Sequence, residues 1–133
     1  MRRVLLVEDS ASMRAFVRAA LTSSLPLGEL EIAEAQSGFD ALRLLPRGAW
    51  DLVITDINMP DINGLELISF IKKSEAHKTT PILIISTASS ERDRERGMAL
   101  GANRYLVKPF TAEALVEQVL EQMGAASASG AHG

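Results

Sequence analysis

The chain contains no cysteine. That excludes disulfides and any thiolate metal site, and it suits a reducing compartment. No apolar run is long enough to cross a bilayer. The opening, MRRVLLVED, has only Val4, Leu5, Leu6 and Val7 before Glu8, too few for the core of a secretory leader. A cytoplasmic location, with no membrane insertion, is the expectation. An excess of basic charge is also missing. Fourteen Lys and Arg stand against 17 Asp and Glu, a net charge of −3 with a pI near 5.4. That balance argues against nucleic acid as the main partner. There is no short repeat and one biased stretch, GAASASGAHG at 124–133. It has nothing to bury and reads as a frayed, flexible tail.

What is present suffices for one compact domain. At 133 residues the chain can bury about two-thirds of its unfolded surface and needs no staple. Apolar residues at 47% and charged residues at 23% are an ordinary globular mix. The expected division is a folded domain at 1–123 and the tail at 124–133.

Short apolar runs alternate with longer amphipathic ones. RVLLV (3–7), ELEIAEA (29–35), DLVIT (51–55), PILIIST (81–87) and RYLV (104–107) read as strands. Pro81 fits a strand start, and the second run alternates weakly, as an exposed strand does. Between them lie helical patterns. The first places Met13, Phe16, Val17, Ala20 and Leu21 on one face, and the third places Leu65, Leu67, Ile68 and Ile71 inward. Ser37 fits a helix cap. Ser90, with Asp93 three residues on, fits the capping pattern for a fourth helix, SERDRERGMALG. TAEALVEQVLEQM is the last helix. Strict β/α alternation implies a parallel sheet covered on both faces. Five units and right-handed crossovers favour an α/β doubly wound, flavodoxin-like (βα)5 sandwich with strand order 2-1-3-4-5.

The strand ends carry the chemistry. The first strand ends in Glu8-Asp9, the third in Asp56, the fourth in Thr87 and the fifth in Lys108. In a parallel sheet these share one edge, the edge where ligands bind in such folds. Each has a plainer reading alone: an acid after a strand can cap a helix, and a surface lysine is usually just solvated. Together they are poorly explained by capping. Carboxylates about 5 Å apart repel by about 3 kcal/mol per pair at an effective dielectric of about 20. The cluster invites a cation, and all-oxygen donors favour Mg²⁺ over zinc. Carboxylate-bound metal beside a lysine is also how phosphoryl groups are held. A carboxylate can itself be the nucleophile, forming an acyl phosphate, and Asp56 on a central strand is the natural candidate.

VED at Glu8-Asp9, VITDINMP with Asp56, NGLEL with Gly64, STAS with Thr87-Ala88, and GANRYLVKPF with Tyr105 and Lys108 occur in that order. In these motifs the chain resembles the receiver domain of two-component response regulators, close in layout to the stand-alone chemotaxis type. The resemblance covers residues 2–123. It implies that Asp56 is the phosphoacceptor, that Asp9 binds Mg²⁺ directly and Glu8 directly or through water, and that the Asn58 backbone carbonyl completes the protein ligands. It implies further that Lys108 pairs with a phosphoryl oxygen and that the Thr87 hydroxyl bonds another. Tyr105 is then the aromatic switch that moves inward, and the Lys108–Pro109 peptide is cis. By the same geometry Asn58 and Ser89 flank the path of the hydrolytic water. The implied donor is a histidine kinase or phosphotransfer protein. The implied output is a downstream protein, reached through helix four, strand five and helix five by a monomer or weak dimer. No DNA-binding or enzymatic output segment is visible in the sequence.

Two departures stand out. Gly97 falls inside the fourth helix and should weaken it by about 1 kcal/mol, with the charged run SERDRER either a solvated helix end or part of a helix loose enough to move. The loop TSSLPLGELE is long and rich in breakers. Rival functions fit less well. An aspartyl-nucleophile phosphatase needs an acid two residues after Asp56, where Asn58 stands. A flavin carrier needs a Gly-rich phosphate loop after the first strand, where EDSASMR has two acids and no Gly. A phosphate shuttle within a relay remains an alternative output, while a degenerate scaffold is disfavoured by the complete acid set.

Overall fold

The computed structural model describes residues 1–123, and the expected tail at 124–133 lies outside the described residues. Five strands alternate with five helices: β1 (Arg2–Val7), α1 (Ala11–Thr22), β2 (Leu30–Ala35), α2 (Gly38–Leu44), β3 (Leu52–Asp56), α3 (Gly64–Lys73), β4 (Ile82–Thr87), α4 (Glu91–Leu100), β5 (Arg104–Lys108) and α5 (Ala112–Met123). The strands form one parallel sheet in the order β2-β1-β3-β4-β5, as the alternation implies.

The pleat sorts the apolar runs into two cores, because successive side chains leave a strand on opposite faces. Val4 and Leu6 of β1, Leu52 and Ile54 of β3, and Leu83 and Ile85 of β4 face one side, where Val17 and Leu21 of α1 and Leu115 and Val119 of α5 cover them. Leu5, Val7, Val53, Ile82 and Ile84 face the other side, under Ala41 of α2 and Leu67, Ile68 and Ile71 of α3. Phe16 of α1 departs from its expected inward place. It is 39% exposed, and its ring centroid lies 6.0 Å from that of Phe110. The breaker-rich loop before β2 forms a short 3-10 turn at Leu25–Leu27 and buries Leu27.

Helix starts follow local chemistry. Ser10 Oγ accepts from Met13 N at 3.2 Å, and Ser37 Oγ from Asp40 N at 3.1 Å. Asn63 and Glu66 form a reciprocal capping box on α3. The cap expected of Ser90 on α4 does not form: its side chain accepts no helix N–H. Gly97 has a packing role that the helix pattern does not report. A β-carbon there would lie 2.5 Å from Ile84 Cδ1. The missing side chain lets α4 sit close on β4, a packing reason for glycine at this position.

Candidate functional site

Strand register builds the site. Val7 of β1 lies level with Thr55, and Asp56 lies level with Ile85. Glu8, one residue past β1, therefore stands beside Asp56 at the end of β3. The carboxylates of Glu8, Asp9 and Asp56 each offer an oxygen within 4.8 Å of the others. Thr87 and Lys108 are level on β4 and β5. Lys108 reaches back over the sheet edge and donates from Nζ to Glu8 Oε1 at 2.7 Å and Asp56 Oδ2 at 2.9 Å. The Lys108–Pro109 peptide is cis.

Capping does not account for these acids. Ser10, not Asp9, caps α1. Asp56 Oδ1 accepts from its neighbours Ile57 N (2.7 Å) and Asn58 N (3.4 Å), and α3 is capped by Asn63. The turn between them doubles back so tightly that a β-carbon at Gly64 would sit 2.3 Å from the Asp56 carbonyl oxygen. Gly64 N donates to Ile57 O at 2.7 Å. Only glycine allows this return, and the return fixes the backbone behind Asp56. Asp61, in the same turn, accepts from Gly38 N (3.0 Å) and Phe39 N (2.9 Å), tying the turn to the start of α2.

The electrostatics favour a cation. Three carboxylates and one ammonium leave a charge of −2 when all are ionised. Glu8 is fully buried, and burial pushes its carboxyl above the usual range. Bonds from Lys108 and from Ser10 N pull it down, and the Asp56 charge pushes it up again. Burial alone would lower the Lys108 ammonium, but its bonds to Glu8 and Asp56 outweigh that and hold it above its ordinary value. The two directions agree physically: Lys108 stays charged, and Glu8 bears the larger cost of dehydration. Arg14 Nη1 anchors the Glu8 carbonyl at 2.7 Å, and Ser10 N donates to Glu8 Oε2 at 3.0 Å. The donor set suits a hard divalent ion with oxygen ligands.

A row of small polar groups lines the β4 side. Thr87 Oγ1 lies 2.9 Å from Ser89 Oγ and 3.3 Å from Ser90 Oγ, and Asn58 Nδ2 donates to Ser90 Oγ at 3.0 Å. Asn58, Thr87 and Ser89 are exposed, whereas Ser90 is buried. Tyr105 stands apart from this row, 48% exposed. Arg94 of α4 lies over its ring at 5.4 Å and donates to Thr87 O at 2.6 Å.

The structure thus gathers Glu8, Asp9, Asp56 and Lys108 into one cluster, sets Asn58, Thr87 and Ser89 along its rim, and leaves Tyr105 outside. Sequence reasoning missed Ser90 and Arg94. Ser90 matched a helix-cap pattern that hid its tertiary partners, and Arg94 lay in a run of charges with nothing to single it out.

Comparison with known proteins agrees with this geometry. The family model for the response regulator receiver domain matches residues 4–120. A chemotaxis protein CheY homolog of Campylobacter jejuni is 34% identical over 130 residues, 97% of this chain and 98% of its own. The chemotaxis response regulator CheY4 of Vibrio cholerae has a TM-score of 0.82 at 34% identity, covering 92% of this chain and 98% of its own. The receiver domain of a sensor histidine kinase from Pseudomonas aeruginosa, solved with a magnesium ion coordinated in its active site cleft, has a TM-score of 0.81 at 28% identity, with coverage of 92% and 98%. The likeness runs through nearly all of the described chain, which belongs to the response regulator receiver domain family and is of the CheY type.

Proposed function

We propose that this protein is a phosphorylation-controlled switch in which Asp56 accepts a phosphoryl group from a histidine kinase or phosphotransfer protein. The phosphorylated molecule then presents an altered surface, formed by α4, β5 and α5, to a downstream protein. One observation carries the reading. Asp56 ends a central strand within 4.8 Å of two further carboxylates, and the Lys108 ammonium bonds it at 2.9 Å. A nucleophilic carboxylate, a cation site and a fixed positive charge are what transfer of a dianionic phosphoryl group requires.

In the transfer, an Asp56 carboxylate oxygen bonds to phosphorus. The phosphorus–nitrogen bond to the donor imidazole breaks, and its electron pair leaves on the ring nitrogen. Glu8, Asp9, Asp56 and the Asn58 carbonyl would hold Mg²⁺, which supplies neutralisation of the phosphoryl charge. Lys108 turns from the Asp56 carboxylate to a phosphoryl oxygen. The exposed Thr87 hydroxyl donates to another, and Tyr105 moves inward as Thr87 is drawn toward the phosphate. Asn58 and Ser89 border the approach of the water that hydrolyses the aspartyl phosphate, its oxygen bonding to phosphorus as the bond to Asp56 breaks and inorganic phosphate leaves. Neither is an effective base near neutral pH, so they act only by orienting it.

The test is incorporation of label from acetyl phosphate in the presence of Mg²⁺. Wild type should take up label, and Asp56→Asn should take up none while keeping its thermal transition. Label at the wild-type level in Asp56→Asn would overturn the assignment.

A further inference from the structure

Ser90 occupies the cap position of α4 but does not cap it. Its hydroxyl is spent elsewhere. It accepts from Asn58 Nδ2 at 3.0 Å and lies 3.3 Å from Thr87 Oγ1, with the residue 5% exposed. The geometry points to Ser90 as a positioning residue for phosphate release from Asp56, holding the Asn58 amide and the Thr87 hydroxyl in one hydrogen-bonded row. This rests on the proposal that Asp56 is the phosphoacceptor.

The hydrogen accounting supports it. An amide nitrogen can only donate, so the Asn58 bond fills a lone pair of Ser90 Oγ. Ser90 then has one proton to give, and among the described residues Thr87 Oγ1 is the acceptor within reach. A Thr87 oxygen that accepts from Ser90 keeps its own proton, which can point to Ser89 Oγ at 2.9 Å or turn to a phosphoryl oxygen. Asn58 is otherwise an exposed side chain on the turn after Asp56. With its amide tethered to a buried group just before α4, it keeps a fixed place beside the phosphorylated residue. A fixed amide can orient the attacking water, whereas a free one samples several rotamers and orients it rarely. The tether also joins the turn after β3 to the end of β4, the two segments that must move together when Thr87 is drawn inward.

The test is a double-mutant cycle on phosphate release after removal of the donor, with wild type, Ser90→Ala, Asn58→Ala and the double variant. Ser90→Ala should lengthen the lifetime by about threefold to tenfold, the size of one hydrogen bond expressed as a rate. The double variant should be no slower than the slower single variant, because both remove the same contact. Ser90→Thr keeps the hydroxyl and should restore a near wild-type lifetime. Effects that multiply, or a Ser90→Ala lifetime equal to wild type, would overturn the inference while leaving Asp56 in place. Failure of wild type to take up label at Asp56 would instead remove the functional reading, and this inference with it. A purely structural role would lower the melting temperature without producing coupling to Asn58.

Discussion

At the scale of single residues the site works against stability. Glu8 is buried without enough charge to balance it, since Lys108 must serve both Glu8 and Asp56. Asp9 adds a third negative charge at the rim. It is exposed, so its repulsion is felt through a medium closer to water than to protein. About 1 kcal/mol is a fair scale, rather than the value of about 3 for a more enclosed pair. Asp9→Asn should therefore stabilise the metal-free protein by up to about 1 kcal/mol. If Asp9 is the proposed Mg²⁺ ligand, the same change removes a ligand charge, so added Mg²⁺ should raise the melting temperature of Asp9→Asn less than that of wild type. Melting curves with chelator and with millimolar Mg²⁺ measure both effects. A variant that is less stable without metal, or that gains as much from Mg²⁺ as wild type, would contradict this role. The residues on which the prediction rests were legible in the sequence because each ends a strand, and parallel strands put such ends on one edge. Ser90 and Arg94 were not. The Ser90 partner Asn58 lies 32 positions away, and no local pattern carries that distance.

Among the elements, α4 shows local preference and tertiary packing in conflict. Its composition is mostly charged, and Gly97 is its only buried residue. Replacing Gly97 with Ala would gain about 1 kcal/mol of helix propensity. The added carbon would meet Ile84 Cδ1 at 2.5 Å, with Ile68 Cδ1 and Leu65 Cδ2 at 3.5 Å closing the space around it. Overpacking of this kind costs about 1–3 kcal/mol. Ile84 Cδ1 is the free end of a side chain and can turn aside, but only within a filled core, so the packing cost should offset the gain and Gly97→Ala should be no more stable than wild type in urea denaturation. A more stable variant would show that α4 can lift from β4 at little cost, which is the loose-helix reading of the sequence. The strands, by contrast, were read within a residue or so of their bounds. Their apolar runs are short, and in a sheet covered on both faces a strand needs no alternation to be recognised. The exposed place of Phe16 escaped the helical pattern because spacing reports a face but not how far a neighbouring helix extends over it.

For the whole molecule, the question is which side responds when Asp56 is modified. A ligand can shift an equilibrium only through contacts that differ between the two states. The groups that would gain such contacts are Thr87 on β4 and Lys108 on β5. Arg94 links the two strands to α4, since it holds the Thr87 carbonyl of β4 at 2.6 Å and lies over the Tyr105 ring of β5. On the far side, Arg14 clasps the Glu8 carbonyl and ion-pairs with Glu34 of β2, contacts that a phosphoryl group on Asp56 has no reason to break. Amide chemical shifts with and without beryllofluoride should therefore change more along residues 87–94 and 104–108 than along α2. Arg94→Ala should keep the changes next to Asp56 and reduce those at Tyr105 and in α4, because it removes the link and not the site. Changes confined to Glu8 and Asp9, or an Arg94→Ala map identical to wild type, would show that the signal does not pass through this side. The expected direction of the proposed switch rests on where Lys108 and Thr87 lie in the strand order.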